Sequence, residues 1–312
     1  MNEIEAIQKM VPPGQPRPQV TWKQGVLQIW ITRSCDKSCF GCTQGSNLKG
    51  PFAKITLDQF DDACASLHGY FGVIGMFGGN PAVHPQFEDL CEIMRSHFDQ
   101  EQCGLWCNKL FGHGAAARKT FNPAYSNLNV HLDQDAYDEF KRDWPECNPV
   151  GLHSDSRHSP PFVAMEDVIA DESKRWELIS NCDINQNWSA LIGTFRGELR
   201  AWFCEVAGAQ AMLHQHDKDY PDTGTKVTPD WWRKSIESFS NQIKFHCHKC
   251  GIPLRGYGEL AMSGNKEQTS EAHANIYNPK LKNREVEVVT DLDQLKDQAL
   301  GSATQYIQNS TK

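Results

Sequence analysis

The apolar positions in the first hundred residues alternate between short continuous runs and runs with helical spacing. Val26 to Ile31 is short, β-branched and aromatic, which predicts a buried strand. Thr56-x-x-Gln59 has the form of a capping box, and apolar side chains then recur at helical spacing as far as Leu67. Phe71 to Phe77 predicts a second buried strand, and the stripe from Phe87 to Met94 predicts a second helix. The order is therefore strand, helix, strand, helix.

The alternation continues, less clearly, to about residue 153. Strand-like runs occupy 104–107, 128–132 and 150–153, and a helical pattern occupies 134–142. Strands that alternate with helices imply an α/β fold with a parallel sheet, either open or curled towards a barrel. In both arrangements, ligands bind at the carboxyl ends of the strands.

The pattern changes after Cys182. Trp188 to Phe195 and Glu198 to Phe203 flank Arg196-Gly197, which predicts an antiparallel hairpin. Helical patterns follow at 206–216 and 231–245, so a second, smaller unit is expected to begin here. From residue 263 the chain is polar, with one strand-like run at 286–289.

The N-terminal segment and the net charge narrow the class of protein further. Residues 1–24 carry Pro12, Pro13, Pro16 and Pro18 with little apolar periodicity, so we expect an extended lead-in. The 312 residues have a net charge of -8 and a pI near 5.8, which argues against a dedicated nucleic-acid binder. No apolar run is long enough to span a bilayer, and the first residues lack the features of a signal peptide. We therefore expect a cytoplasmic protein that binds no nucleic acid and no membrane.

Cysteine is the unusual component. The chain has 12 cysteines, and the reducing cytosol disfavours a disulfide framework for a protein without an export signal. Metal ligation or redox chemistry is the first hypothesis. Some of the cysteines are still expected to be small core residues, because free cysteine is readily buried.

Three of the cysteines form a tight motif, Cys35-x3-Cys39-x2-Cys42, directly after the first predicted strand. Three thiolates can bind three corners of a [4Fe-4S] cluster and leave one iron open for a small molecule. The alternative is a zinc site, although zinc sites usually bring paired CxxC units or histidines.

This motif, with Phe40 after its second cysteine, resembles the signature of the radical S-adenosylmethionine (SAM) enzymes. Gly78-Gly79-Asn80-Pro81, at the end of the next predicted strand, is similar to the GGEP motif of that family. The resemblance implies that SAM binds the open iron and is cleaved reductively to a 5'-deoxyadenosyl radical, which takes a hydrogen atom from the substrate.

The resemblance also implies roles for single residues. Phe40 would lie near the adenine, and the backbone at Gly78 and Gly79 would approach the SAM ammonium. Asn80 stands where the family usually has Glu, so the charge attraction to that ammonium is lost. Asn108, after the third predicted strand, is a further SAM contact or an ordinary polar loop residue.

Four more cysteines form a second set around the predicted hairpin, in the order cysteine, hairpin, cysteine, helices, CxxC. They are Cys182, Cys204, Cys247 and Cys250. Four thiolates match complete ligation of a second [4Fe-4S] cluster, and the order resembles the Twitch domain, a shortened SPASM domain. A zinc site that uses His246 or His248, or unrelated core cysteines, are the alternatives.

The resemblance implies a partial (β/α)6 TIM-like barrel over residues 25–180, a Twitch-like hairpin and helix domain over 181–262, and a C-terminal extension over 263–312. It further implies the cofactors SAM, a SAM-binding [4Fe-4S] cluster and an auxiliary [4Fe-4S] cluster. The expected partners are a small-molecule substrate and an external electron donor such as flavodoxin or ferredoxin.

Five cysteines remain. Cys64 and Cys91 fall on helical apolar stripes and are expected in the core, whereas Cys107 and Cys147 are candidate hydrogen-atom donors and Cys103 is unassigned. Glu259 is a candidate base. Polar groups near strand ends are further candidates for substrate or SAM binding: Asn129, His131, Asp133, His153, Asp155, Arg157 and His158.

The leading functional expectation is oxidation of a small hydroxylated substrate such as a sugar or aminocyclitol, with the auxiliary cluster as the electron acceptor. One alternative is a radical SAM epimerase, which needs a cysteine as hydrogen donor. Another is a peptide-modifying maturase. An alternative of a different class is a non-catalytic zinc-binding protein.

Overall fold

The computed structural model describes residues 1–16, 25–39, 41–50, 53–153, 160–188, 190–254, 266–277 and 285–295. Its strands are β1 Val26–Thr32, β2 Val73–Gly78, β3 Cys103–Leu105, β4 Ala190–Phe195, β5 Glu198–Trp202, β6 Thr225–Lys226, β7 Lys266–Thr269 and β8 Glu285–Val288. Its α-helices are α1 Glu3–Lys9, α2 Leu57–Ala65, α3 Phe87–His97, α4 Gly114–Thr120, α5 Gln134–Asp143, α6 Met165–Val168, α7 Glu172–Ser180, α8 Asp183–Asn187, α9 Glu205–His214 and α10 Ser240–His246.

A six-stranded sheet in the order β3-β2-β1-β4-β5-β6 forms the centre of a mixed α/β fold. β1 lies parallel to both β2 and β4, and β2 lies parallel to β3. Every residue of β1 is buried, as its continuous apolar run predicts for a central parallel strand. The predicted alternation of strands and helices is confirmed from β1 to α3.

The parallel array extends beyond β3 through extended segments. Single parallel bridges join Trp106 to Asn127 and Asn129 to Val150. The Val130 N–H donates to the Val150 carbonyl, and the Val150 N–H donates to the Leu128 carbonyl, both at 2.9 Å. Residues 128–130 and Val150 are thus extended neighbours of the sheet, consistent with a partial TIM-like barrel. The strands predicted at 128–132 and 150–153 are shorter than expected, because His131, Leu132 and Gly151 have positive φ.

The predicted hairpin is confirmed: β4 and β5 pair in antiparallel orientation around Arg196-Gly197, where both residues have positive φ. β4 is also paired with β1, with Leu27 opposite Ala190 and Ile29 opposite Ile192. The central sheet therefore runs across the boundary predicted at residue 181, and buried side chains from both sides of it belong to one apolar core.

The N-terminal segment differs from the predicted extended lead-in. α1 is capped by Asn2, whose side chain accepts the Glu5 N–H while the Glu5 side chain accepts the Asn2 N–H. Ala6 and Ile7 are buried by this helix. The capping box and the apolar pair favour a helix, and the prolines that suggested an extended chain begin only after it.

The helix predicted at 231–245 is also broken into shorter pieces. Two 3-10 turns, Trp231–Arg233 and Ile236–Phe239, precede α10. Lys234 and Ser235 between them have extended backbone, with ψ of 147° and 159°. The apolar residues have helical spacing in the sequence because each turn buries one of them. Trp231 is buried by the first turn and Ile236 by the second.

The C-terminal extension contains a second, two-stranded parallel sheet, and the strand predicted at 286–289 is confirmed as β8. The Ser270 N–H donates to the Phe162 carbonyl at 3.2 Å, and the Lys49 N–H donates to the Ile276 carbonyl at 2.9 Å. The extension therefore packs beside the loop that follows the first cysteine motif. None of the helices in the described ranges is long and apolar enough to cross a membrane.

Candidate functional site

Cys35, Cys39 and Cys42 lie on the wall of one cavity. Gly78, the last residue of β2, and Gly79 line the same cavity, as does Asn108 in the loop after β3. The two predicted motifs therefore meet at the carboxyl ends of parallel strands. Phe40 lies outside the described residues.

Asp36 connects the cysteine loop to the ends of the neighbouring strands. Its Oδ1 accepts hydrogen bonds from Asn80 Nδ2 at 3.1 Å and from Asn108 Nδ2 at 2.9 Å. The next residue, Lys37, donates to Asp133 Oδ2 at 2.6 Å. These contacts hold the loop in place, and the sequence analysis did not identify Asp36 as part of the site.

Arg33 organises the chain that follows the cysteines. Its guanidinium is 1% exposed and donates to the carbonyls of Gly45, Leu48, Lys49 and Gly50 at 2.7–3.4 Å. Burial lowers the pKa of Arg33 from 12.5 to about 10. A planar cation with five donors suits a ring of carbonyls, so this side chain fixes the loop over residues 45–50.

The two glycines are required by close backbone approach. The Gly79 N–H donates to the Thr32 carbonyl at 2.7 Å, which brings the end of β2 against the chain leading to Cys35. A Cβ on Gly78 would lie 2.3 Å from the Thr32 carbonyl oxygen, and one on Gly79 would lie 2.4 Å from that of Ser34. Only glycine fits at these positions without moving backbone.

Asn80 is fully buried and does not line the cavity. Its Nδ2 donates to Asp36 and to the Lys109 carbonyl, and its Oδ1 accepts the Ala82 N–H and the Cys107 Sγ–H. Pro81 is the first residue of a buried 3-10 turn that Asn80 caps. Both the amide nitrogen and the amide oxygen of Asn80 are therefore bonded to protein groups.

Several residues on the cavity wall carry a buried polar atom without a hydrogen-bond partner among the described residues. These atoms are Asn108 Oδ1, Gln44 Oε1 and Ser46 Oγ. Unsatisfied buried acceptors cost free energy and are rare, so their concentration here favours a bound ligand rich in donors. The ammonium and ribose hydroxyls of SAM supply such donors, so the residues present fit that cofactor.

Glu205 is the one acidic side chain among the described residues that line this cavity. It begins α9 directly after Cys204, and burial raises its pKa to about 8. Glu205 is not among the site residues predicted from sequence, although it directly follows Cys204, a predicted cluster ligand.

The second set of cysteines lines a separate cavity, whose wall includes all four of Cys182, Cys204, Cys247 and Cys250. Cys182 is the residue before α8 and accepts backbone N–H groups from the first turn of that helix, and Cys204 accepts one from the first turn of α9. Backbone donors at helix N-termini stabilise thiolates, and four thiolates are the number of ligands that a [4Fe-4S] cluster needs.

Burial is the main influence on these thiols. It raises the pKa of Cys182 to about 11 and that of Cys35 to about 12. The second-set thiols also raise one another's pKa, which reflects their proximity. A coordinating thiol must be deprotonated, so metal uptake here would release protons. In the described ranges, no three His, Cys, Asp or Glu side chains are grouped so as to hold a metal ion.

The two histidines of the zinc alternative have protein partners. His246 is hydrogen-bonded to Thr223 Oγ1 at 2.7 Å and to Gln210 Oε1 at 3.1 Å. His248 accepts a hydrogen bond from Arg175 Nε at 3.2 Å and does not line the cavity.

Only some of the remaining predicted site residues line the first cavity. Cys107, Asn129 and His131 line the first cavity, whereas Cys147 is buried in the core and its thiol faces the Phe140 carbonyl. Cys64, Cys91 and Cys103 are core residues. Asp133 caps α5, and His153 is exposed. The other predicted candidates lie outside the described residues: Asp155, Arg157, His158 and Glu259.

Comparison with known proteins adds little. No protein-family model matches the sequence, and no curated protein matches it. Among solved structures, the chain is similar to the crystal structure of BtrN in complex with AdoMet and 2-DOIA, at 12% sequence identity and a TM-score of 0.45. The match covers 72% of this chain and 92% of that chain. A likeness this weak does not by itself assign a fold or an activity.

Proposed function

We propose that this chain is a radical SAM enzyme that dehydrogenates a small hydroxylated substrate, such as a sugar or an aminocyclitol. One observation carries the proposal: the three cysteines of the motif and both glycines of Gly78-Gly79 line one cavity at the carboxyl ends of parallel strands. The order of the cysteines, which resembles that of 2-deoxy-scyllo-inosamine dehydrogenase, supports the substrate class.

Cys35, Cys39 and Cys42 would hold a [4Fe-4S] cluster that, with SAM on its open iron, supplies a 5'-deoxyadenosyl radical. Cys182, Cys204, Cys247 and Cys250 would hold a second cluster, which supplies an electron acceptor. Asn108, Gln44 and Ser46 present acceptors for the polar groups of SAM. Arg33 and Asp36 keep the first three thiols in one place through their bonds to the loop and the strand ends.

The oxidation needs the removal of a hydrogen atom, a proton and an electron from one carbinol. The carbon-bound hydrogen atom would leave with the deoxyadenosyl group. Glu205 lies on the cavity wall, and in its ionised form, which predominates above about pH 8, its carboxylate can accept the hydroxyl hydrogen bond and then its proton. The electron would pass to the four-cysteine site, whose Cys204 is the residue next to Glu205, and the product would be a ketone.

The lining of the cavity favours a small hydroxylated substrate. Asn129, His131 and the rings of Trp106 and Trp188 complete the wall, a mixture of polar and aromatic groups that suits a hydroxylated ring. An external electron donor such as flavodoxin or ferredoxin is part of the proposal.

Metal analysis of anaerobically purified protein tests the proposal. We expect about eight iron and eight sulfide per chain, and about four of each when Cys35, Cys39 and Cys42 are all changed to Ala. Cys64→Ala is the matched control, because Cys64 is a buried core thiol outside both cavities, and it should keep all the iron. Reduction with SAM should then yield 5'-deoxyadenosine. Zinc without sulfide would refute the proposal.

Epimerisation is a second candidate, and the position of Cys107 favours it. Its thiol lines the first cavity, and its Sγ lies 3.1 Å from Asn80 Oδ1 and 3.0 Å from the Lys109 carbonyl oxygen. In an epimerase this thiol would return a hydrogen atom to the substrate radical, and the external electron donor would reduce the resulting thiyl radical with uptake of a solvent proton, so turnover in D₂O would label the product at carbon. Cys107→Ser should abolish that label and Cys147→Ser should keep it; an unlabelled, oxidised product favours the dehydrogenase.

A further inference from the structure

One carboxylate of the C-terminal extension contacts the first cysteine motif. Glu267 lies in β7 and is 1% exposed. Its Oε1 accepts the Gly41 N–H at 3.1 Å and Asn47 Nδ2 at 2.9 Å. Gly41 lies between Cys39 and Cys42, so this carboxylate is bonded to the backbone of the motif itself.

The contact is made from a well-anchored strand. Thr269 Oγ1 donates to the Phe162 carbonyl at 2.9 Å, and the Val289 N–H donates to the Thr269 carbonyl at 2.8 Å. β7 also pairs with β8 over its whole length. Glu267 is therefore held on a fixed element while it bonds to the cysteine loop.

The arrangement has two physical consequences. Gly41 has a φ of 57°, a left-handed conformation, and a charge-assisted bond to its N–H stabilises that turn. A buried carboxylate also places negative charge on the loop that carries Cys39 and Cys42, where the low dielectric strengthens its effect. Charge and hydrogen bonding near a cluster are among the factors that set its reduction potential.

We infer that Glu267 is a positioning residue that fixes the turn of the cysteine loop and lowers the reduction potential of the cluster bound there. This inference rests on the proposed function, because it needs a cluster at the first motif. It gives the C-terminal extension a role in the site, through a residue far away in sequence.

Three variants separate the charge from the hydrogen bonds. Glu267→Gln keeps an oxygen for Gly41 and Asn47 but removes the charge, whereas Glu267→Ala removes both. Glu287→Gln is the matched control, because it removes the same charge from β8, where Glu287 accepts a bond from Gln268 Nε2. The readouts are the midpoint potential of the cluster whose EPR signal shifts when SAM is added, and amide exchange in the peptide covering residues 41–48.

We expect Glu267→Gln to raise the midpoint potential above that of the wild type and of Glu287→Gln, with amide exchange faster than in the wild type but slower than in Glu267→Ala. We expect Glu267→Ala to speed exchange at Gly41 and to lose iron from the first cluster. A potential in Glu267→Gln equal to that of the control, or exchange in Glu267→Ala equal to that of the wild type, would overturn the inference. Wild-type protein without any SAM-sensitive cluster signal would instead count against the proposed function.

Discussion

Removing the guanidinium of Arg33 should loosen the loop after the cysteine motif. Three of its hydrogen bonds to carbonyls are 3.2 Å or shorter. Bonds to a charged group contribute roughly 1.5–3 kcal/mol each, and the orphaned carbonyls would lose that stabilisation. The lowered pKa of Arg33 shows that burial disfavours its charge, which offsets part of the gain. We therefore expect Arg33→Ala to reduce the free energy of unfolding by about 2–3 kcal/mol.

Urea unfolding of wild type and variants, with iron counted in the same samples, measures this effect. Arg33→Lys keeps the charge, but a compact ammonium cannot reach all the carbonyls, so we expect roughly half the loss. Arg142→Ala is the control, because Arg142 is exposed and pairs with its neighbour Asp143; its loss should stay within about 0.5 kcal/mol. If Arg33→Ala unfolds at the same urea concentration as Arg142→Ala, the guanidinium does not hold the loop.

Three further changes test other parts of the site. Gly79→Ala should cost roughly 1–3 kcal/mol in unfolding free energy, because its Cβ would meet backbone oxygens of Ser34 and Arg33 at 2.4 and 2.7 Å; a thermal melt equal to that of the wild type would contradict this. Glu205→Gln should lower substrate oxidation by roughly 100-fold or more while 5'-deoxyadenosine still forms, and equal loss of both products would argue against its role as proton acceptor. The pKa of Asp133 is lowered mainly by its bond to Lys37, so its contribution to stability is present above the unfolded value of 3.8 and is lost as pH falls through the lower folded value. Asp133→Asn should therefore flatten the dependence of the urea midpoint on pH below about pH 4, and an unchanged acid slope would contradict that reasoning.

The features that could be predicted from sequence are those with a local signal. The continuous apolar run of β1, the capping box before α2 and the Arg196-Gly197 turn each lie within a few residues and match the structure. Three cysteines within one loop also need no tertiary information to be brought together. The sequence predicts that the backbone at Gly78-Gly79 approaches another group closely. In the structure that group is the backbone of Thr32 and Ser34.

The residues that hold the site together carry no such signal. Arg33, Asp36 and Glu267 satisfy backbone or amide groups on segments that are distant in sequence or irregular in conformation. A single charged residue in a polar stretch is most often exposed, so its burial follows only from the packing of other elements. The prolines near the N-terminus likewise led to the prediction of an extended chain in place of α1, whose cap at Asn2 precedes them.

The pairing of β4 with β1 has a consequence for the two cysteine sites. Cys35 follows the end of β1, and Cys204 follows β5, the antiparallel partner of β4. Both thiols are thus attached to one hydrogen-bonded sheet, and Ile184 lies in the walls of both cavities. The spacing between the sites is set by sheet register rather than by a linker. Under the proposed function, a fixed spacing would suit the passage of an electron from a substrate in the first cavity to a cluster in the second, because the rate of electron transfer falls steeply with distance.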